Sequence, residues 1–223
     1  LARPEQLQRL LEALGAPPEL IPEIVAGIVD WRTPVPPGVL TPFDSFYLSR
    51  IPSFRARHAS IEEIEELLLI RGMTPDLFYG SYERDAQGRL IPRGGLRDCL
   101  SVFGSHDRFD ANTAEPALLQ SLGLAPEQVA ALVEARRAAP FRSIDQLYAF
   151  AEGNPVAMQR LQVGGGSIYT LRASARLRLA GGRYSDLVRS VGAKVKFLGE
   201  GYDPPHHILR WYDNLPVDPR RLP

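Results

Sequence analysis

The 223-residue sequence predicts an α+β protein that combines a mainly α-helical domain with a small antiparallel sheet. Two observations carry this prediction. The first is a ten-residue pattern, Leu-Leu-x-x-x-Gly-x-x-Pro followed by an acidic residue, which occurs three times with its glycines at Gly15, Gly72 and Gly123. The second is a change to period-two alternation from residue 168 onward, which is typical of a β-strand.

Each copy of the ten-residue pattern predicts two helices joined by a hairpin. A glycine closes the first helix in the left-handed conformation, and a proline with an acidic neighbour opens the second helix. We therefore expect Gly15, Gly72 and Gly123 to be structural residues. Their unequal spacing argues against a regular solenoid.

The chain before the third hairpin predicts helices separated by loops. An amphipathic helix precedes Gly15, and a strongly apolar helix after it ends at Trp31, before a cluster of prolines. Residues 33–54 lack periodicity and predict a long irregular connection. Ser60 and Glu63 form a capping-box pattern at the start of the second hairpin. Residues 79–94 are polar and glycine-rich and predict a turn-rich loop.

The third hairpin follows the run Asp110-Ala111-Asn112-Thr113-Ala114. Asn112 or Thr113 is expected to cap the helix that opens at Pro116, with Glu115 placed for the return bond of a capping box. A leucine stripe then forms the buried face of this helix. A further capping-box pattern, Ser143-Ile144-Asp145-Gln146, predicts a third short helix through Leu147 and Phe150.

The last part of the sequence predicts a β-ribbon and a tail. Residues 168–179 and 184–198 form two strands around a glycine-rich turn, with Arg172, Arg176 and Arg178 on one side of the first strand. Two strands alone are marginally stable, and no other strong strand is apparent, so part of the cover is expected from outside this sequence. The expected domains are a helical domain at 1–163, a ribbon at 164–202 and a proline-rich tail at 203–223.

Charge and hairpin chemistry disfavour nucleic acid as a partner. The chain has 26 basic and 26 acidic residues, so no net charge draws it to a polyanion. DNA-binding hairpins hold a phosphate with the backbone amides of a Gly-x-Gly turn and a basic residue. Here Ala125 replaces the second glycine and Glu127 adds a negative charge. We therefore keep a DNA-binding helix-hairpin-helix module of the competence type only as the alternative interpretation.

The sequence contains no zinc-protease, serine-hydrolase or phosphate-loop motif, and we expect a non-enzymatic protein. Cys99 is the single cysteine, so it cannot form an internal disulfide and is expected in the core. Asp30, Asp44, Asp107 and Asp110 are weak candidates for calcium ligands, because no complete loop of spaced oxygen ligands is present. Capping and surface roles are the alternatives for all four.

Some charged and titratable residues are predicted to have structural roles without chemistry. The glutamates of residues 62–66 are expected to form a solvated surface, and His58 is expected in a polar loop.

No apolar run is long enough to span a membrane, and no signal peptide is apparent. The chain begins within a helical pattern without Met, so we expect a fragment whose targeting or anchoring segment has been removed.

Several motifs occur together in this chain. They are the helix ending in Asp30-Trp31, the run Pro42-Phe43-Asp44-Ser45, the run Arg71-Gly72-Met73-Thr74, and the segment 96–102 that precedes Asp110-Ala111-Asn112-Thr113-Ala114. In this combination the sequence resembles the minor pseudopilin K family of bacterial type II secretion systems. Asp110 stands where the family motif has its first Asn.

The resemblance implies a pseudopilin fold, in which a large helical domain is inserted between strands of a small antiparallel sheet. The long N-terminal helix and the first strands of that fold are absent from this sequence. The resemblance also implies a non-enzymatic cap at the tip of a periplasmic pseudopilus, anchored in the inner membrane. Implied partners are minor pseudopilins I and J, the major pseudopilin shaft, and the secreted substrate or the outer-membrane secretin. Relatives can carry calcium and a disulfide, which Cys99 alone cannot form.

The unpaired edges of the two predicted strands suggest where a partner binds. An exposed strand edge has free hydrogen-bonding groups, whereas the helical hairpins can bury their own leucines. We therefore expect partner binding at the ribbon, through Arg172, Arg176 and Arg178. The resemblance places the sheet end toward the shaft and the neighbouring pseudopilins, in agreement with this expectation.

Overall fold

The computed structural model describes residues 2–85, 87–104 and 108–215. The chain forms two compact units with the boundary after Gly164. The first unit is mainly helical, and the second is a three-stranded antiparallel sheet. The predicted α+β class with small antiparallel sheets is confirmed.

The described part of the first unit contains eight α-helices: α1 (Pro4–Ala13), α2 (Ile21–Arg32), α3 (Pro42–Leu48), α4 (Pro75–Tyr79), α5 (Leu96–Cys99), α6 (Pro116–Ser121), α7 (Pro126–Ala138) and α8 (Pro155–Arg160). It also contains two 3₁₀ helices, Ile64–Leu69 and Ile144–Leu147. Its short strands are β1 (Ser81–Arg84), β2 (Leu90–Arg93), β3 (Phe109–Asp110) and β4 (Leu161–Gln162). Every α-helix except α5 has a proline at its first or second position. Proline is favourable there because its fixed φ suits the helix and its missing N–H has no intrahelical partner to lose.

The hairpin glycines have the backbone conformation that the sequence pattern requires. Their φ angles are +70° at Gly15, +85° at Gly72 and +97° at Gly123. A β-carbon at Gly123 would lie 2.9 Å from Asn154 Nδ2, and one at Gly72 would lie 3.1 Å from Ile24 Cγ1. Positive φ and close neighbours together favour glycine at both turns.

Two hydrophobic clusters stabilise the first unit. The first cluster packs the leucines of α1 against Ile24 of α2, Tyr47 of α3 and Phe78 of α4, all of which are buried. The second packs Leu119 of α6 against Leu132 of α7. The parallel pair β3–β4 closes this second cluster by joining residue 109 to residue 161. Full burial of one such side chain contributes roughly 1.5–3 kcal/mol.

Three local expectations in this unit were wrong. The 33–54 connection contains helix α3, which Thr41 caps by accepting a hydrogen bond from the Asp44 amide. The 79–94 loop contains the antiparallel hairpin β1–β2, whose turn Asp85 organises by accepting from two amides. In the second hairpin the box joins Glu63 to Glu66 rather than Ser60 to Glu63, and it opens a 3₁₀ helix. Hydrogen bonds to the side chains of Thr41, Asp85 and Glu66 stabilise these three local structures. Such bonds leave no periodic hydrophobic pattern, so the sequence analysis missed them.

The second unit is a sheet of order β5-β6-β7, formed by β5 (Ile168–Arg178), β6 (Tyr184–Phe197) and β7 (His206–Tyr212). Both pairings are antiparallel. The long strands β5 and β6 lie where the sequence predicts them. The expectation that no further strand exists was wrong, because β7 lies within the proline-rich tail. Its apolar residues Ile208, Leu209, Trp211 and Tyr212 follow Pro204 and Pro205, which obscure the strand pattern.

Candidate functional site

The register of the sheet separates its side chains into two chemically different faces. Directly opposed residues of an antiparallel pair point to the same face, and successive residues alternate. Thr170 is opposite Lys194, which is itself opposite Arg210, and Arg172 is opposite Gly192. We call the resulting surface the basic face, and its members are Arg172, Arg176, Arg178, Lys194, Lys196 and Arg210.

The basic face brings the three predicted arginines together with three cations that sequence reasoning missed. Arg172, Arg176 and Arg178 are exposed on β5, and no ion pair within the described parts of the chain involves them. Arg210 was missed because its strand was missed. Lys194 and Lys196 are the only lysines in the sequence, and their position together on one predicted strand could have indicated a cationic surface there.

The opposite face of the sheet is largely apolar and carries one strand cation, Arg189, opposite Ala175. Ala193 and Val195 are buried at its centre, although Tyr169 remains 46% exposed and Trp211 remains 54% exposed. The Tyr169 and Phe197 rings meet edge to face with centroids 5.4 Å apart. Most of the strand cations therefore lie on one side of the sheet and Tyr169, Phe197 and Trp211 lie on the other, while Tyr184 and Tyr212 lie on the basic face.

In the first unit, the calcium candidate Asp44 is fully buried and pairs with His58. His58 Nε2 lies 3.0 Å from Asp44 Oδ2, and His58 Nδ1 lies 3.1 Å from the Asp30 carbonyl oxygen. Both ring nitrogens thus face acceptors, an arrangement that the doubly protonated imidazolium satisfies. His58 lies in an irregular segment, as expected, but its side chain is enclosed and joins two segments of the core.

The amides of Thr41 and Ala56 also donate to the Asp44 carboxylate, at 3.0 and 3.2 Å. Burial by itself would raise the pKa of Asp44, but the hydrogen bonds from Thr41, His58 and Ala56 outweigh it and lower the pKa. Burial likewise opposes the charge of His58, yet its bonds to Asp44 and Asp30 raise its pKa. These opposite shifts favour the charged form of both groups.

The other calcium candidates do not join Asp44 in a common ligand set. Asp30 Oδ2 is buried without a hydrogen-bond partner among the described residues. Asp110 lies between Phe109 and Ala111 of the second cluster and accepts from the amides of Asn112 and Gly164. Asp107 lies outside the described residues. No group of three His, Cys, Asp or Glu side chains suited to a metal ion occurs in the ranges that the structure covers.

The residues Asn112 and Thr113 do not cap α6, contrary to the sequence prediction. The N-cap of α6 is Glu115, and its side chain makes no capping bond. Asn112 instead clamps Phe141, because its Oδ1 accepts from the Phe141 amide at 2.8 Å and its Nδ2 donates to the Phe141 carbonyl at 3.0 Å. Thr113 donates to Asp110 Oδ2. The run that contains these residues thus connects α6 to the segment after α7.

The turn of the third hairpin uses its polar groups internally. The Gly123 amide donates to the Gln120 carbonyl, and the Ala125 amide donates to Gln128 Oε1. Asn154 Nδ2 donates to the Gly123 carbonyl at 2.7 Å. A phosphate would have to compete with these bonds at the turn.

Cys99 and the glutamates of residues 62–66 also have structural surroundings. Cys99 is half-buried, and burial with the nearby Glu115 and Asp98 charges raises the pKa of its thiol to about 12. Glu66 is not solvated, since its carboxylate accepts from Trp31 Nε1 at 2.8 Å. Among the described residues, none of the helices has the length and hydropathy of a membrane span.

Comparison with known protein families gives matches to two separate ranges of the helical unit. Two family models, each described as type II secretion system (T2SS), protein K, match residues 2–79 and 109–164. The two ranges together span more than half of the chain. No curated protein sequence matches it.

The fold is also similar to a solved structure. A chain in the crystal structure of the GspK–GspI–GspJ complex from the enterotoxigenic Escherichia coli type 2 secretion system aligns with a TM-score of 0.58 and 16% identity. The alignment covers 96% of the present chain and 70% of that chain. At this identity the comparison shows a shared fold.

Proposed function

The chain belongs to the protein K family of type II secretion systems, a family of minor pseudopilins that act in protein secretion, and from this we propose that it caps the tip of the secretion pseudopilus. It does so by assembling with the I and J minor pseudopilins, and its helical unit forms the bulk of the cap. The observation that carries the proposal is the match of two protein K family models to separate parts of that unit.

Partners and location follow from the same membership. The similar solved chain belongs to a complex that contains GspI and GspJ, and we extend this pairing to the present chain. Type II pseudopilins are anchored in the inner membrane and carry periplasmic domains, so we assign this chain to the periplasm. The pseudopilus shaft and either the secreted substrate or the outer-membrane secretin are further proposed contacts.

The sheet unit is the proposed contact surface with the other pseudopilins. Its edge strand β5 is exposed along almost its whole length and carries Arg172, Arg176 and Arg178. Strand edges offer unpaired backbone groups to a partner. The third helical hairpin, in contrast, buries Leu119 and Leu132 together in one hydrophobic cluster.

Co-purification with the soluble domains of I and J pseudopilins tests the assignment. Reversal of Arg172, Arg176 and Arg178 to Glu is expected to weaken the complex. Glu62→Lys and Glu65→Lys, on an exposed surface of the helical unit, serve as the matched reversals. Glu66 is unsuitable as a control because it bonds to Trp31. Loss of the complex only with the glutamate reversals would place the contact on the helical unit instead.

DNA binding by the third hairpin is the competing function, and the local chemistry does not favour it. The turn amides at Gly123 and Ala125 already donate within the chain, and Glu127 would repel a phosphate. Fluorescence anisotropy with a short DNA duplex at low salt provides the test. Tight binding that falls steeply with added salt would contradict the pseudopilin proposal in favour of the DNA-binding one.

A further inference from the structure

Helix α2 is apolar on more than the face that it buries. Only Glu23, Asp30 and Arg32 among its twelve residues are polar. One face of the helix, which includes Ile21 and Trp31, is buried in the first hydrophobic cluster. A helix that is apolar on every side is usually covered on every side. Its remaining apolar residues therefore call for a cover of their own.

These remaining residues form a second stripe along the helix. The stripe consists of Pro22, Val25, Ala26 and Val29, at positions i, i+3, i+4 and i+7 of α2. Pro22 and Ala26 are exposed, and Val25 and Val29 are half-buried. All four line an open groove of about 580 Å³ in the helical unit. A volume of this size lies within the usual range of ligand sites.

Neighbouring elements complete the groove. Gln8 of α1, Val35 in the segment after α2, and Phe43 at the start of α3 also line it. At 1.5 Å of rise per residue, the stripe on α2 is roughly 10 Å long, which equals about two helical turns. The small side chain of Ala26 allows a second helix to approach α2 closely at this point, because interaxial distance depends on the side chains at the contact.

Asp30 lies at the carboxyl-terminal end of the stripe and lines the same groove. Its Oδ2 is buried without a hydrogen-bond partner, and its carboxylate forms no ion pair, among the residues that the structure describes. A buried acceptor without a donor costs free energy. The terminal torsion of an Asp side chain is soft and nearly two-fold, so either oxygen can turn toward the groove. A Lys or Arg in the groove would supply the missing donor through a charge-assisted bond.

We propose that this groove binds an amphipathic helical segment of another protein. The segment is about two turns long, packs aliphatic side chains against the α2 stripe, and places a Lys or Arg beside Asp30. Apolar burial supplies the affinity, and the pair with Asp30 sets the direction of the segment along α2. This contact is separate from the strand edge assigned to the other pseudopilins and does not depend on the cap assignment.

A second copy of this chain is the competing occupant. An isologous contact would set the same surface of two copies against each other. No Lys or Arg belongs to the described residues that line the groove, so Asp30 would still lack a cation in such a contact. The unpaired carboxylate therefore favours a different protein that carries one.

Fluorescence anisotropy of labelled peptides with the 223-residue chain tests the proposal. The probe is an alanine-rich peptide of about 15 residues, which is long enough to form a helix. It has four leucines spaced like the α2 stripe and an Arg in the turn on either side of them. A second peptide has Glu in place of both Arg residues. We expect the Arg peptide to bind about tenfold more tightly than the Glu peptide.

Two variants locate the binding. Ala26→Gln places a longer polar side chain at an exposed position of the groove and is expected to weaken binding of the Arg peptide about tenfold or more. Asp30→Asn keeps the backbone carbonyl that meets His58 and is expected to abolish the preference for the Arg peptide. Ala131→Gln and Glu127→Gln, both exposed on α7, are the matched controls. Circular dichroism melting checks that all four variants fold.

Each contrary result has a distinct meaning. Absence of peptide binding, or binding that Ala26→Gln leaves unchanged, would overturn the proposal. Equal affinity of the wild type for the two peptides would overturn the role of Asp30, and with it the stated chemistry of the partner. A concentration-dependent dimer in sedimentation velocity, lost in Ala26→Gln, would assign the groove to a second copy instead.

The same variant separates this proposal from the proposed function. Ala26→Gln is expected to co-purify with the soluble I and J pseudopilin domains as well as the wild type does. Failure of the groove to bind peptide would leave that assembly role standing. Failure of the wild type to co-purify with either domain would contradict the assembly role and leave the groove proposal in place.

Discussion

Asp44 and His58 are the residues whose environment differs most from the sequence expectation. Each is charged and largely enclosed, and the Asp44 carboxylate accepts from the neighbouring Thr41 amide as well as from Ala56 and His58 farther along the chain. Removing one member of such a pair leaves a buried charge without compensation. The pair therefore holds α3 and the segment at residues 56–58 against the end of α2.

We predict that His58→Ala lowers the free energy of unfolding by on the order of 3–5 kcal/mol, because Asp44 loses its charged partner. Thermal or urea denaturation measures the change. His207→Ala is the control, since His207 is exposed on β7. Equal stability of the two variants would contradict the proposed role of the pair.

The same pair predicts a stability maximum between the carboxylate and imidazole titrations. The raised pKa of His58 contributes stability that is complete below the pKa of an unfolded histidine and is lost as pH rises through the folded value. The lowered pKa of Asp44 contributes stability that is lost as pH falls through its folded value. Urea titrations across pH should show the alkaline loss in wild type and its absence in His58→Ala.

Gly72 and Gly123 make a second prediction at the residue scale. Replacing either by Val should cost roughly 1–2 kcal/mol, because a β-branched residue is strained at positive φ. Gly166→Val is the control, since no atom lies within 4 Å of its would-be β-carbon and its φ is not in the left-handed region. Melting temperatures of the hairpin variants that match the control would show that these turns tolerate a side chain.

At the scale of elements, β7 completes the sheet by pairing with the carboxyl-terminal half of β6. The two strands β5 and β6 alone would leave that half with one free edge, and a two-stranded ribbon is marginally stable in water. The third strand therefore supplies from inside the chain the cover that sequence reasoning sought outside it.

We expect Ile208→Pro to release β7, because the proline ring does not fit a paired strand. Amide hydrogen exchange at residues 192–197 should become faster as a result. Glu200→Pro, in the turn between β6 and β7, is the comparison variant. Unchanged protection of β6 in the Ile208 variant would mean that β7 contributes little to the sheet.

At the scale of the whole molecule, the chain consists of two units with separate interiors. Both hydrophobic clusters lie within the first unit, and the sheet supplies the buried residues of the second. Charge follows the same division, since β5 of the second unit carries Arg172, Arg176 and Arg178, which form no ion pair among the described residues.

Residues 2–164 expressed alone are expected to unfold cooperatively, because both clusters remain complete. Circular dichroism melting against the full chain is the measurement. A fragment ending at Gly123 is the control, since it separates Leu119 from Leu132 and Leu161. Gradual, non-cooperative melting of the 2–164 fragment would show that the helical unit depends on the sheet.

The sequence by itself determined the features that depend on neighbours along the chain. Helix starts at prolines, left-handed turns at Gly15, Gly72 and Gly123, and the alternation of β5 all follow from the φ preferences and side-chain direction of single residues. These preferences act within a few positions, so a linear pattern contains them.

Only the tertiary structure decided which distant residues meet. The charged form of His58 is stabilised by Asp44 and the Asp30 carbonyl oxygen. Asn112 bonds to the backbone of Phe141 instead of capping the adjacent helix. The basic face exists because register brings cations of three strands to one side. Each of these contacts lowers the free energy only after the chain has folded, because burial and pairing depend on position in space and leave no periodic signal in the sequence.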